Sequence, residues 1–150
     1  MTCVDDSKRL TIAVDSMLAY TDVVAMAVRG VCNATSLSEA AVDRLELCLI
    51  EALNNVIIHA YDNQQGHRIE ISVLLSPRQI SLTVSDWGAT MVNASQTLAK
   101  GAEVTGLDPK ALRANGRGLF IIRTLMDTVS YFSEKGKNSL LMTLSMDVDE

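Results

Sequence analysis

Three polar side chains stand in a stretch that otherwise reads as core. Between Leu47 and Tyr61 the chain runs L-C-L-I-E-A-L-N-N-V-I-I-H-A-Y. Written on a helix, Glu51, Asn55 and His59 fall at i, i+4 and i+8 and project from one side, one above another. A carboxylate and an amide one turn apart can position a water or a hydroxyl and hold a hard cation. His59, near the helix end, reads as a structural group rather than a catalytic one. Buried without partners, such a row would be costly, so something polar is expected to meet it.

Two further features fit a common ligand. Gly116-Arg117-Gly118 forms a glycine turn ahead of an apolar run starting at Leu119. Such a turn presents backbone N–H groups and the positive end of a helix dipole to phosphate. Asp86 closes a strand just before Gly88, and its carboxylate suits an exocyclic amine such as that of adenine. The residues together sketch a nucleotide with its base near Asp86, its phosphates near Gly116 to Leu119, and a metal near Asn55. Other phosphate and hydrolase motifs are absent. Gly101 to Gly106 has Walker A glycine spacing, but Leu107 and Asp108 follow in place of lysine and a hydroxyl. No third glycine completes a dinucleotide fingerprint after Gly118, and no G-x-S-x-G elbow occurs.

The elements that must position these residues follow from periodicity. Arg9 to Val14 alternates as a strand. Asp15 or Ser16 is the expected cap of a helix from Met17 to about Cys32, with Leu18, Val24, Ala27, Val28 and Val31 as its apolar face. After a turn at Asn33 to Leu37, Ser38 starts the long helix, with Glu39 in its first turn and an end near Tyr61. Its core face is Leu49, Ala52, Leu53, Val56, Ile57 and Ala60, at spacings of three and four. The turn cluster Asp62 to Gly66 leads into strands His67 to Leu75 and Gln79 to Ser85, an antiparallel hairpin hinged at Ser76-Pro77. Residues 89–115 lose clear periodicity, apart from a possible helix at Asn93 to Lys100, and read as a functional lid or a partly disordered segment. A helix from Leu119 to Met126 and a second hairpin, Thr128 to Ser133 and Ser139 to Met146 around Gly136, complete the chain. The expectation is one α+β domain over residues 1–150: a two-layer sandwich whose mainly antiparallel, mixed sheet is covered on one face by about three helices.

Composition bounds the function. With 150 residues, 48% hydrophobic and 21% charged, the chain suits one globular core. A formal net charge of −5 and 4% aromatic residues argue against generic binding to nucleic acid or anionic membrane. No apolar run spans a bilayer and the first ten residues lack an apolar signal core, so the expected location is the cytoplasm. Cys3, Cys32 and Cys48 are odd in number, and with only His59 and His67 as imidazoles there is no zinc spacing.

At this point the residues carry a resemblance. E-A-L-N-N-V-I-I-H-A-Y resembles the N-box of the GHKL ATP-binding superfamily, which includes gyrase, histidine kinases and the MutL type. D-W-G at Asp86 to Gly88 resembles its first glycine box, and G-R-G-L-F-I-I at Gly116 to Ile122 its second. Within the superfamily the chain looks most like the bacterial anti-sigma-factor serine kinases, over nearly its whole length and in element order. The resemblance implies ATP and Mg2+ as cofactors, with Asn55 binding magnesium and Glu51 acting as general base toward a protein serine or threonine hydroxyl. It implies Asp86 as the adenine-reading aspartate, Gly88 as the glycine allowing close approach of the base, and Gly116 and Gly118 as lid glycines around the phosphates, with Arg117 and Leu119 beside them. It further implies a homodimer that phosphorylates a STAS-domain anti-anti-sigma antagonist and holds a sigma factor. Two departures stand out: Ala89-Thr90 follows Gly88 where a second glycine is usual, and Lys137-Asn138-Ser139 stands where many relatives have Gly-Thr. The first favours an alternative, a nucleotide-gated binding protein that sequesters a partner without transferring phosphate.

Overall fold

The computed structural model describes residues 6–91 and 117–146, so the possible helix at Asn93 to Lys100, residues 92–115 of the expected lid, Gly116 and Cys3 lie outside the described residues. Strand β1 (Lys8–Asp15) is followed by helices α1 (Ala19–Cys32) and α2 (Glu39–Asn55), and by one π-helical turn over Val56–Ala60. Strands β2 (Arg68–Leu75) and β3 (Gln79–Asp86), helix α3 (Arg117–Leu125), and strands β4 (Thr128–Glu134) and β5 (Lys137–Ser145) complete the order. The five strands form one sheet in the order β1-β2-β3-β5-β4. All four pairings are antiparallel, so the α+β sandwich is as expected and the parallel pair that a mixed sheet would require does not occur among the described residues.

Period-two alternation builds the sheet. In β3, Ile80, Leu82 and Val84 are buried in the core cluster, while Ser81, Thr83 and Ser85 fall on the opposite face. The helices supply the other wall of that core. In α2, Ala41, Val42, Leu45, Cys48, Leu49, Ala52 and Leu53 recur at helical spacing and are all buried. Helix α2 contacts both α1 and α3, which makes it the centre of the helical layer. The expected start of α2 is present: Ser38 is extended, and its side chain accepts a hydrogen bond from Ala41 N at 3.2 Å. The hairpin turns also fall where expected. Lys135 and Gly136, between β4 and β5, both have positive φ, as a tight two-residue turn requires.

Two expectations about α1 are corrected. Ser16 is buried but caps nothing; its hydroxyl donates to Gln64 O at 2.6 Å and accepts from His67 N at 3.1 Å, fastening the loop before α1 to the turn before β2. The cap position is Leu18, with no side-chain cap bond. The buried face is Thr21, Val24, Ala25, Val28 and Cys32, whereas Leu18 and Ala27 are exposed. Choosing apolar residue types rotated the expected face slightly away from the one geometry buries. Cys32 and Cys48 are buried and free, and burial pushes their thiols up to about 11 and about 12. They behave as core side chains.

Leu49 is fully buried where α2 meets the sheet. Leu49→Ala is expected to lower the unfolding free energy by about 2–5 kcal/mol. The check is a urea titration with a lower midpoint and an unchanged slope; an unchanged midpoint would contradict this placement of the core.

Candidate functional site

The end of α2 carries the two side chains singled out by spacing. Both Glu51 and Asn55 are partly exposed, and both face α3 at Gly118. A Cβ added to Gly118 would lie 2.9 Å from Asn55 Nδ2, 3.1 Å from Asn55 Oδ1 and 3.1 Å from Glu51 Oε2. Any other residue there would press on both polar groups. Gly118 is not in a turn ahead of the helix, as expected, but inside α3, which is already helical at Arg117. The glycine therefore lets a helix backbone lie against the two side chains. Leu119 is buried in the hydrophobic core, which leaves only its backbone for a ligand. Asn55 Nδ2 is buried without a hydrogen-bond partner among the described residues, an arrangement that is costly unless something fills it.

Immediately after Asn55 the helix changes gauge. Tyr61 N bonds to Val56 O at 2.9 Å, the i→i+5 spacing of a π turn. The wider turn displaces the residues that follow, and His59 ends exposed rather than stacked above Asn55. It also aims the Ala60 carbonyl at the loop after β3, where it accepts from Ala89 N at 2.9 Å. A Cβ on Gly88 would sit 2.3 Å from that carbonyl oxygen, so the glycine is required by protein backbone at this point. Tyr61 secures the same junction: its hydroxyl donates to Arg68 O at 2.5 Å and accepts from Trp87 N at 2.8 Å, and its ring stacks on His67 with centroids 4.8 Å apart.

Asp86, the last residue of β3, is 4% exposed. Its Oδ1 accepts from Gly88 N at 2.9 Å and from Asn138 Nδ2 at 2.8 Å. Burial raises its pKa, and these two donors oppose the rise. Its Oδ2 has no hydrogen bond among the described residues. Asn138, directly opposite on β5, was not a site residue by sequence reasoning; only strand register brings it to Asp86.

Asp86 and Asn55 line one cleft between the end of α2 and the sheet. Ala52, Val56 and Ala60 form one apolar wall, Val84 and Leu140 the other, with Met91 and Tyr131 at the edge. An apolar slot with an acceptor at one end and an amide at the other suits a flat heterocycle carrying an amine. The slot is narrow, about 10 Å³, roughly one water, and Met91 N donates to the Tyr131 hydroxyl at 3.0 Å beside it. A much roomier hollow of about 570 Å³ lies on the opposite face of the sheet, lined by Arg9, Glu70, Thr83, Trp87 and Lys137. It contains none of Glu51, Asn55 or Asp86, and its walls mix hydroxyls and charges with the rings of Trp87 and Phe132. The narrow cleft is the better site because it holds the orphaned donor and the buried charge. Trp87 belongs to the outer hollow, with Lys137 Nζ 5.5 Å from its ring centroid.

Among the described residues no group of three His, Cys, Asp or Glu is placed to hold a metal, and no helix is long and apolar enough to cross a membrane. The donor set near Asn55 fits a magnesium ion that arrives with phosphate oxygens rather than one held in a protein cage.

This fold and site define a class. Residues 14–144 match the histidine kinase-like ATPase domain, and the chain belongs to that family, whose domain binds ATP. Among proteins similar to it, the serine-protein kinase RsbW of Listeria monocytogenes is 26% identical over 135 residues, covering 90% of this chain and 85% of that one. An anti-sigma F factor of Clostridium acetobutylicum is 28% identical over 101 residues, 67% of each chain. A chain in the crystal structure of the SiaB–SiaC complex from Pseudomonas aeruginosa shares the fold, with a TM-score of 0.65 at 14% identity over 90% of this chain and 88% of that one. The relation to the RsbW kinases and the anti-sigma F factor is distant but runs through most of the chain.

Asp86→Asn retains an acceptor for Gly88 N and Asn138 Nδ2 while deleting the buried charge. Because the folded-state pKa is raised, ionised Asp86 lowers stability above that pKa, and the cost vanishes below the unfolded-state value. The variant is therefore expected to melt at the same or a higher temperature at neutral pH, with the difference closing below about pH 4. Calorimetry across pH checks this; a variant much less stable at neutral pH would show that the charge is net stabilising.

Proposed function

We propose that this chain is a Mg-ATP-dependent serine/threonine protein kinase that phosphorylates a STAS-domain anti-anti-sigma protein and, as a homodimer, alternately holds a sigma factor. The observation that carries the reading is the convergence of Glu51 and Asn55 on the backbone of Gly118, beside a cleft ended by Asp86. The relation to proteins named as serine-protein kinases and as an anti-sigma factor supports the choice of reaction and partners.

Bound Mg-ATP supplies the transferable phosphoryl group and the charge neutralisation that phosphoryl transfer needs. The roles of the chain's own groups follow from their chemistry. Asp86 Oδ2 accepts from the exocyclic amine of the base. Asn55 Oδ1 is a hard oxygen for the cation, and its orphaned Nδ2 is a donor for a phosphate oxygen. Glu51 Oε2 lies beside Asn55 at Gly118 and would accept the proton of the substrate hydroxyl as that oxygen bonds to phosphorus and the bond from phosphorus to ADP breaks. Gly118, with Gly116, Arg117 and Leu119 beside it in sequence, brings backbone toward the phosphates, and a side chain at Gly118 would displace the ends of Asn55 and Glu51.

A second reading keeps the nucleotide and drops the transfer: a nucleotide-gated protein that sequesters its partner. The observation favouring it is that Thr90, in place of a glycine, is tied by its side chain to Asn138, which stiffens the loop after the first glycine box. Incubation with labelled ATP and a STAS-domain antagonist separates the two, since a stable complex without labelled antagonist supports binding alone.

On the kinase reading, Glu51→Ala is expected to reduce phosphorylation by about 10²-fold or more while leaving ATP affinity nearly unchanged. Asn55→Ala is expected to weaken magnesium-dependent ATP binding as well. Both are checked by titration with and without magnesium alongside single-turnover transfer. Near-normal transfer by Glu51→Ala would remove it from the mechanism.

A further inference from the structure

The two places where the sequence departs from the family pattern meet in space. Thr90, in the position after Gly88 and Ala89 where a glycine is usual, donates from Oγ1 to Asn138 Oδ1 at 2.9 Å. Asn138, in the segment where Gly-Thr is usual, is 1% exposed and sits opposite Asp86 across the β3–β5 pairing. Its Nδ2 donates to Asp86 Oδ1 at 2.8 Å and to Gly88 O at 3.0 Å, while its Oδ1 also accepts from Ser133 Oγ at 2.6 Å. The Gly88 carbonyl can only accept, so the amide nitrogen must face it and the orientation of the amide is fixed. Two donor positions and two acceptor positions are all filled. Asn138 therefore has nothing left to offer a ligand, and any effect on one passes through Asp86.

The effect on Asp86 is specific. Its Oδ1 is saturated by Asn138 and Gly88, so turning the carboxylate would break two hydrogen bonds to a charged group. Only Oδ2 is left without a partner among the described residues, on a side chain that lines the cleft. A fixed lone acceptor selects for a donor on the base edge. A 6-amino purine supplies one; a 6-oxo purine places oxygen against oxygen and leaves both desolvated.

We propose that Asn138, held by Thr90, is a positioning residue that presents a single free acceptor of Asp86 to the cleft and thereby sets the preference for a 6-amino over a 6-oxo purine nucleotide. The proposal rests on the nucleotide reading of the cleft. It joins the two sequence departures in one contact: the amide supplies two donors where a hydroxyl has one, and the Thr90 hydroxyl fills an acceptor position on the amide oxygen.

The test uses the full chain and two ligands that differ only at purine position 6, ATP and inosine triphosphate, titrated with magnesium. Wild type is expected to favour ATP by about tenfold or more. Asn138→Leu, similar in size but without hydrogen bonds, is expected to bring the two affinities within about threefold, mainly by weakening ATP. Thr90→Val is expected to shift the ratio the same way by a smaller factor, and Asn138→Thr, which restores one donor to Asp86, to recover part of the preference. A purely structural role lowers both affinities together, so variants that keep the wild-type ratio overturn the proposal. Should Asn138→Leu fail to fold by circular dichroism, Thr90→Val decides by the same criterion. Wild type that binds both nucleotides equally overturns this inference and leaves the nucleotide site standing; wild type that binds neither overturns both.

Discussion

An ionised carboxylate removed from water must be solvated by the protein, at an otherwise uncompensated cost of roughly several kcal/mol. Asp86 imposes that constraint at the end of β3, and much of the surrounding geometry answers to it. The chain reverses after Trp87 so that Gly88 N reaches back to Oδ1, and β5 delivers Asn138 from the opposite strand. The reversal drives the Gly88 backbone against Ala60, which only a residue without Cβ survives. Tyr61 then bridges the loop and the start of β2 with a single hydroxyl. Each contact is ordinary; their convergence on one carboxylate is what makes the junction between sheet and α2 rigid.

The π turn is the counterpart of that junction on the helical side. An α-helix carried unbroken to Tyr61 would keep His59 in the row of Glu51 and Asn55. The extra residue in the turn breaks the row after Asn55 and leaves His59 in solvent, with the Ala60 carbonyl free to accept from Ala89 N. Helix α2 thus ends by changing its hydrogen-bond spacing, and the change falls immediately after Asn55, at the mouth of the cleft. Such turns cost helix regularity and recur at functional sites.

The layers of the fold were legible because each rests on local periodicity. Alternation marked the first strand, turn residues and short links marked the two hairpins, helical spacing marked the buried face of α2, and Ser38 with Glu39 marked its start. The parts that were not legible depend on geometry with no local trace. Thr21 and Ala25 are buried in α1 while Leu18 is exposed, because helix packing selects positions rather than residue types. Ser16 reads as a cap from sequence, since serine before a helix usually is one, yet it bonds to residues about fifty positions away. Glu51, Asn55 and Asp86 stood out by residue type and spacing, and the structure brings Glu51 and Asn55 to Gly118 and Asn55 and Asp86 to one cleft. Asn138 did not stand out, because it reaches Asp86 only through the register of β3 and β5.

Two asparagines serve this cleft in opposite conditions. Asn138 has every donor and acceptor position filled by protein and stands away from solvent. Asn55 has a buried nitrogen with no hydrogen-bond partner among the described residues. A buried amide left unfilled is tolerated where a ligand completes it, whereas a saturated one stabilises a single arrangement of its neighbours. The same side chain therefore fixes one end of the cleft and leaves the other end open to polar contact. The asymmetry suits the nucleotide site proposed above, with a fixed acceptor at the Asp86 end and an unfilled donor at the Asn55 end.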